Sequence, residues 1–130
     1  VILALGCNDC KDYLNLSAEQ IADGARILIH DIRSALNCGP RERPDQPPCI
    51  VLMTPPLVTI TAQSLAWGFA GADTKSLALA SRYLQLADEL ELLAFDVQTV
   101  ATASSLDGIH FDSQAQSAIA SGLADLIAQT

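Results

Sequence analysis

The amino-acid sequence predicts an α/β protein with a parallel sheet, and two observations support this prediction. Half of the 130 residues are apolar but only 5% are aromatic, and Ala and Leu dominate. This composition favours helices packed on short aliphatic strands over an aromatic-rich β-sandwich. In addition, three short apolar runs alternate with stretches of helical periodicity. The length suits a single domain with one core.

The three predicted strands are residues 1–5, 50–53 and 92–95. Each run is apolar without alternation, which is typical of parallel strands that are covered on both faces. Three strands make a small sheet for this architecture. One outer strand would present a row of unpaired backbone groups, so we expect something to lie beside it.

Three helices are predicted between and after the strands from apolar residues that recur with helical spacing. Their stripes are Ile21, Ala25, Leu28, Ile29, Ile32 and Leu36; Leu77, Ala80, Tyr83, Leu84, Ala87 and Leu90; and Ala115, Ile119, Leu123 and Leu126. Ser17 with Gln20, and Ser113 with Gln116, have the spacing of a capping box, which marks two helix starts. The order β-α-β-α-β-α predicts a doubly wound sheet with right-handed crossovers.

Two connections differ from ordinary short turns. The proline-rich segment 40–48 predicts a stiff, exposed loop without a helix or strand of its own. Residues 54–73 form a longer connection that carries Trp67 and Phe69, and long loops of this kind often cover binding sites. The two aromatic side chains fit two interpretations equally: they line an acyl or alcohol pocket, or they pack the loop or a subunit contact.

Charge and hydropathy exclude several classes of partner. Fifteen acidic against seven basic residues give a net charge of −8, so nucleic acid and anionic membranes would be repelled. No apolar run approaches the roughly 18 residues of a membrane span, and residues 1–5 lack the basic flank of a signal peptide. Since the chain starts inside an apolar run without Met, we expect it to begin within a larger protein. The compartment is left open, with a slight preference for the cytoplasm.

Four cysteines allow two disulfides but predict no metal site. Cys7 and Cys10 have redox spacing, yet they do not lead directly into a long helix, so we interpret them as incidental small side chains. Cys38 and Cys49 bracket the proline-rich loop. A bridge between them is an alternative if the protein lies outside a reducing compartment.

Polar segments follow each predicted strand, where ligands bind in open parallel sheets. These are residues 6–9, 54–56 and 107–110. A histidine base needs an acceptor that holds its second ring nitrogen, and Asp107 can hold His110 in this way. The carboxamide of Asn8 can donate to an oxyanion, an interaction worth about 3 kcal/mol in comparable sites. Each motif alone is more often a plain turn, a solvated loop or a helix cap, but their placement at the same end of the sheet favours a site.

A nucleophile is missing from this set. Ser104 and Ser105 lie close to Asp107 in sequence, but neither sits in the sharp strand-to-helix turn that exposes a nucleophile. Ser17 and Ser113 are better explained as helix caps, and His30 is interpreted as a solvated helix residue.

Three motifs together resemble conserved blocks of the GDSL or SGNH family of serine hydrolases. They are Leu5-Gly6-Cys7-Asn8-Asp9, Met53-Thr54-Pro55-Pro56 and Asp107-Gly108-Ile109-His110-Phe111. The run Asn8-Asp9-Cys10-Lys11-Asp12-Tyr13, with Trp67 and Phe69, is more specifically similar to the small arylesterase and acyltransferase branch. The resemblance covers essentially the whole chain.

The resemblance implies a three-layer αβα, flavodoxin-like fold, of which residues 1–130 form the C-terminal part of a single domain. It also implies that Asn8 is the oxyanion donor, His110 the general base and acid, Asp107 its orienting partner and Asp9 a structural neighbour. In the family, the nucleophilic serine and a glycine that supplies a further oxyanion amide lie earlier in the sequence than the region that begins here with Val1. Two βα units are therefore expected to be absent from this chain, one of them beside the first strand.

The sequence thus predicts a carboxylic-ester hydrolase for small aryl, alkyl or acetyl esters, with acyl transfer as an extension. Trp67, Phe69 and Pro55 are the expected substrate contacts, and no cofactor or metal is expected. The expected partner is the N-terminal segment, as a second chain or as a removed piece, and this chain alone is expected to be inactive. A homo-oligomer is left open. The alternative is an inert, hydrolase-like fragment or interaction module that pairs through its exposed edge.

Overall fold

A computed structural model describes residues 1–35 and 45–129. Short helices and strands alternate along the chain in the predicted order, with one additional helix. The elements are β1 (Ile2–Leu3), α1 (Ala18–Ser34), β2 (Val51–Met53), α2 (Ala62–Ala66), α3 (Ala72–Glu89), β3 (Leu93–Phe95) and α4 (Ser113–Ala128). Short 3₁₀ turns lie at Asn8–Cys10, Asp12–Leu14 and Val97–Thr99.

The sheet is parallel, with β2 in the centre and β1 and β3 on either side. Ile2 is in register with Val51, and Met53 with Phe95. The prediction of three parallel strands is confirmed, although each strand is shorter than the predicted run. Every residue of β2 is buried because helices cover both of its faces, whereas Ile2 on the outer strand β1 is exposed.

Helices lie on both faces of the sheet, which confirms the predicted layers. Side chains alternate along β2, so Leu52 faces one layer while Val51 and Met53 face the other. Leu52 packs in a cluster with α1 and α3, and Val51 and Met53 pack in a second cluster with Phe95 and α4. The parallel strands therefore direct their loops to one end of a three-layer structure.

One predicted cap is correct and the other is wrong. Ser17 caps α1: its hydroxyl accepts from the amide of Gln20, whose side chain accepts from the amide of Ser17. In α4 the cap is Asp112, not Ser113, because the carboxylate one residue earlier accepts from the amide of Ala115 at 2.8 Å. Ser113 is the first helical residue.

The predicted core stripes are only partly correct. Leu28, Leu77 and Leu84 are exposed, since aliphatic side chains lie on both faces of α1 and α3 and only one face of each helix is covered. The face of α3 that packs against the sheet and α1 is rotated from the predicted face by about one residue position. It consists of Ala72, Ser76, Leu79, Ala80, Tyr83, Leu86 and Ala87. The remaining predicted positions of α1 and α4 are buried or partly buried, and Leu36 lies outside the described residues.

The long connection 54–73 is more ordered than the sequence predicted, because it contains α2. Thr61 and Ser64 form a capping box at the start of this helix. In the proline-rich segment, residues 45–50 have no helix or strand, while the rest of that prediction and the Cys38–Cys49 bridge lie outside the described residues. Within the described ranges, no helix has the length and hydropathy needed to cross a membrane.

Candidate active site

A cavity of about 690 Å³ lies where the loops leave the carboxyl ends of the strands. It brings together side chains from the loop after β1, the 54–73 connection and the loop before α4. The lining residues are Cys7, Asn8, Lys11, Pro56, Trp67, Phe69, Ile109, His110, Phe111 and Gln116. Asn8 and His110, which are more than a hundred positions apart in sequence, therefore share one cavity.

Asp107 and His110 form a hydrogen-bonded pair at the edge of this cavity. The Nδ1 atom of His110 lies 2.7 Å from Oδ2 of Asp107. The other carboxylate oxygen of Asp107 accepts from the backbone amides of Ile109 and His110, each at 2.9 Å. The tautomer that donates from Nδ1 leaves Nε2 with a lone pair, which is the state required of a general base.

The same contacts keep the Asp107 carboxylate ionised. The backbone amide of His110, the His110 ring and the backbone amide of Ile109 lower the pKa of Asp107 from 3.8 to about 2. Hydrogen bonds to the charged form of a carboxyl group favour that form. Asp107 is therefore an acceptor that stabilises an imidazolium rather than a group that takes up its proton.

Asn8 lies at the start of a 3₁₀ turn on the opposite wall. Its backbone carbonyl accepts from the amide of Lys11, which fixes the turn, and the preceding Gly6 has a positive φ of 102°. The Asn8 side chain is exposed and forms no hydrogen bond with any residue in the described ranges 1–35 and 45–129. Its carboxamide is thus available to a ligand in the cavity.

The two cysteines of this loop are not reactive thiols. Burial raises the pKa of Cys7 to about 11 and that of Cys10 to about 12. The Cys10 thiol donates to the carbonyl of Gly6 at 3.6 Å, a structural contact. Because the thiolate is the nucleophilic form, the raised pKa disfavours Cys7 as the missing nucleophile although it lines the cavity.

Trp67 and Phe69 occupy different positions in the cavity wall. The Trp67 ring packs edge-on against His110, with 5.9 Å between ring centroids and an interplanar angle of 79°. Phe69 is buried, and the ammonium group of Lys11 lies 5.4 Å from its ring centroid. The contact between Trp67 and His110 was not predicted, since no local pattern links the two positions.

Pro55 lies behind the main cavity rather than in its wall. Its carbonyl accepts from the Gln98 side chain at 3.0 Å, and it lines an adjoining cavity shared with Asn8 and Phe111. The neighbouring Pro56 lines both cavities. Sequence reasoning also missed Lys11, Ile109, Phe111 and Gln116, although Ile109 and Phe111 flank the predicted histidine.

Serines are absent from the lining of the main cavity in the part of the chain that the structure describes. Ser104 and Ser105 line a separate, more polar cavity beside Asp112. Among the described residues there is also no cluster of three or more His, Cys, Asp or Glu side chains that could hold a metal ion.

Comparison of the fold with solved structures finds similar proteins. No family model and no curated protein matches the sequence. The aryl esterase of M. smegmatis superimposes with a TM-score of 0.87 at 26% identity, over 99% of this chain and 60% of that one. A carbohydrate acetylesterase family member from Sinorhizobium meliloti matches with a TM-score of 0.86 at 31% identity, over 98% of this chain and 59% of that one.

The fold and these neighbours define an α/β protein that matches the C-terminal part of the SGNH-hydrolase fold. This match agrees with the resemblance of its motifs to the GDSL or SGNH family. The chain spans about 60% of the length of the solved structures that it matches.

Proposed function

We propose that this chain contributes the general base and one oxyanion donor to a serine-type carboxylic-ester hydrolase. The observation that carries the proposal is the 2.7 Å contact between His110 Nδ1 and Asp107 Oδ2, in a cavity that also exposes Asn8. These are two of the parts that acyl transfer requires, a held imidazole and a preorganised amide donor.

In the proposed reaction a serine hydroxyl attacks the ester carbonyl while Nε2 of His110 takes the hydroxyl proton. The tetrahedral oxyanion accepts from the Asn8 carboxamide. Collapse expels the alcohol, which receives the proton from His110, and leaves an acyl-enzyme. Water then attacks the acyl group, again with His110 as base, and releases the acid and the free serine. Another alcohol in place of water gives acyl transfer.

The nucleophilic serine is proposed to come from residues outside this chain. No described serine lines the cavity, and the raised pKa of Cys7 removes the nearest alternative. The adjoining cavity lies between residues 4–9, which follow β1, and the Thr54-Pro55-Pro56 segment, which follows β2. A further strand and its loop beside β1 would bring a serine to this place.

Small acetyl and aryl esters are the proposed substrates. The wall is largely apolar and aromatic, with Trp67 beside the base and Phe69 deeper in the cavity. Matched relatives are described as an aryl esterase and as a carbohydrate acetylesterase family member. The flat leaving group of an aryl ester would pack against Trp67. The exposed rim of the cavity leaves room for a larger alcohol.

The test uses a hybrid in which the N-terminal part of the S. meliloti relative that this chain does not match is fused to Val1. We expect the hybrid to hydrolyse 4-nitrophenyl acetate and to show a transient acetyl adduct by intact mass on the grafted part. The chain without the graft should be inactive. A folded hybrid that neither turns over the ester nor becomes acetylated would contradict the proposal.

A second candidate is an inert interaction module. It is favoured by the exposed apolar side chains of Val1, Ile2 and Leu5 along the uncovered edge of the sheet. Intact mass and size-exclusion chromatography of a purified sample distinguish the two. An associated second polypeptide that carries an acylated serine supports the enzyme, whereas a partner without esterase activity supports the module.

A further inference from the structure

The short helix α2 touches the Asp107–His110 pair at both of its ends. At the N-terminal end, the Thr61 hydroxyl donates to the backbone carbonyl of Asp107 at 3.1 Å. At the C-terminal end, the Trp67 ring packs against the ring of His110. The five-residue helix and its two caps, Thr61 and Trp67, therefore reach both members of the pair: Asp107 through its backbone and His110 through its side chain.

The Thr61 hydroxyl is fixed by a second role. Its oxygen accepts from the amide of Ser64 at 3.0 Å, and the Ser64 hydroxyl accepts in return from the amide of Thr61 at 2.8 Å. Ser64 is fully buried. Of the two acceptors within reach of the Thr61 hydroxyl proton, the Asp107 carbonyl at 3.1 Å is closer than the Ser64 hydroxyl oxygen at 3.4 Å.

A backbone contact close to Thr61 holds Gly108, the residue that follows Asp107. The amide of Thr59 donates to the carbonyl of Gly108 at 2.8 Å. Gly108 has a φ of +75°, and a Cβ atom there would lie 1.9 Å from the carbonyl oxygen of Thr59. Two consecutive carbonyls, those of Asp107 and Gly108, are thus attached to one short stretch of the 54–73 connection.

The position of this backbone decides the geometry of the pair. The Asp107 carboxylate is oriented by the amides of Ile109 and His110, which belong to the same turn. If the turn is loosened by about 1 Å, these hydrogen bonds weaken and the imidazole moves relative to the cavity, and misplacements of this size cost up to about 100-fold in rate. The anchoring of the turn is therefore part of the site.

We propose that Thr61 is a positioning residue for the Asp107–His110 pair: its hydroxyl anchors the turn that orients the carboxylate, while the helix that it caps carries Trp67 to the imidazole. The catalytic meaning of this inference rests on the proposed function. The structural claim does not, and the experiment separates the two.

The first experiment measures the pKa of Asp107 by carbon NMR of the labelled carboxyl group in this chain. Thr61→Val removes the hydroxyl and keeps the shape, so the pKa should rise from about 2 toward the ordinary 3.8. Thr61→Ser keeps a hydroxyl, so the pKa of Asp107 in this variant should stay low. Thr99→Val is the matched control, because the Thr99 hydroxyl also donates to an aspartate carbonyl, that of Asp96, away from the cavity.

A folded Thr61→Val variant with an unchanged Asp107 pKa would overturn the proposal, and so would a Thr61→Ser variant that behaves like Thr61→Val. If Thr61→Val does not fold, Thr61→Gly takes its place. Glycine is well tolerated at helix N-caps and carries no hydroxyl. The same shift of pKa is expected for it.

The second experiment measures turnover in the hybrid described above. Thr61→Val should lower kcat about tenfold with little change in KM, since the substrate contacts are retained while the base is less well held. Thr61→Ser and Thr99→Val should keep the parent kcat. An inactive parent hybrid would count against the proposed function alone, and the pKa measurement would still decide the role of Thr61.

Discussion

The two walls of the cavity are held in different ways. On one wall the Asp107–His110 pair is fixed by hydrogen bonds from its own turn and from Thr59 and Thr61. On the other wall the backbone of Asn8 is fixed by a 3₁₀ turn, but its carboxamide has no partner among the described residues. The comparison teaches that the proposed base is held in place within this chain, whereas the proposed oxyanion donor would gain a partner only from a ligand.

The largest expected effect comes from breaking the pair itself. Asp107→Asn in the hybrid should lower kcat by about 10⁴-fold, because an amide cannot hold the imidazole in the tautomer that leaves Nε2 free. Steady-state hydrolysis of 4-nitrophenyl acetate measures this. Asp112→Asn, at the cap of α4, is the control, and a loss of similar size there would show a general structural effect.

The other wall should contribute less. Asn8→Ala in the hybrid should lower kcat by about 10² to 10³-fold with KM little changed, as for other oxyanion donors. Asn15→Ala, in the turn before α1, serves as the comparison. An Asn8→Ala variant with parent kcat would remove Asn8 from the proposed mechanism and leave only the base on this chain.

The anchoring of the turn can be broken through Gly108. Gly108→Ala forces a Cβ atom against the Thr59 carbonyl at a residue with positive φ, so we expect a loss of about 2 to 4 kcal/mol in the free energy of unfolding. Gly24→Ala is the matched substitution, because nothing lies within 4 Å of its Cβ position in α1.

Gly24→Ala should raise the free energy of unfolding by about 0.5 to 1 kcal/mol, since alanine is the better helix former. Urea denaturation followed by circular dichroism measures both variants. Equal stability of the two would show that the 107–110 turn is not tightly packed against residues 59–61.

The smallest effect is a dependence of stability on pH. The pKa of Asp107 is lower in the folded state than its ordinary value, so its contribution is fully present above pH 3.8 and is lost as the pH falls toward about 2. The difference in unfolding free energy between the parent chain and Asp107→Asn should therefore shrink as the pH falls from about 4 toward 2. A difference that grows over that range would contradict the assigned hydrogen bonds.

The sequence predicted the features of this molecule that depend on local patterns. Three aliphatic runs led to the parallel sheet, Ser17 with Gln20 led to the start of α1, and Asp107 three residues before His110 led to the pair. These features need only a few neighbouring residues, so their physical causes are visible without knowledge of the fold.

Features that depend on tertiary placement were not predictable in the same way. Leu77 and Leu84 define one possible buried face of α3, and Leu79 and Leu86 define another. Only the position of the sheet selects the face of Leu79 and Leu86. The helix α2 was missed because its capping box uses Ser64 instead of Glu or Gln. The contact of Trp67 with His110 requires that the 54–73 connection fold back over the site.

The most direct test of the central claim compares four samples in one assay of 4-nitrophenyl acetate hydrolysis. They are this chain alone, the hybrid, and the hybrid with His110→Ala, with His30→Ala as the control on the exposed face of α1. We predict activity in the hybrid and in its His30→Ala variant, and a loss of at least about 10³-fold with His110→Ala. Equal turnover with and without His110 would contradict the account, because the base would then lie elsewhere.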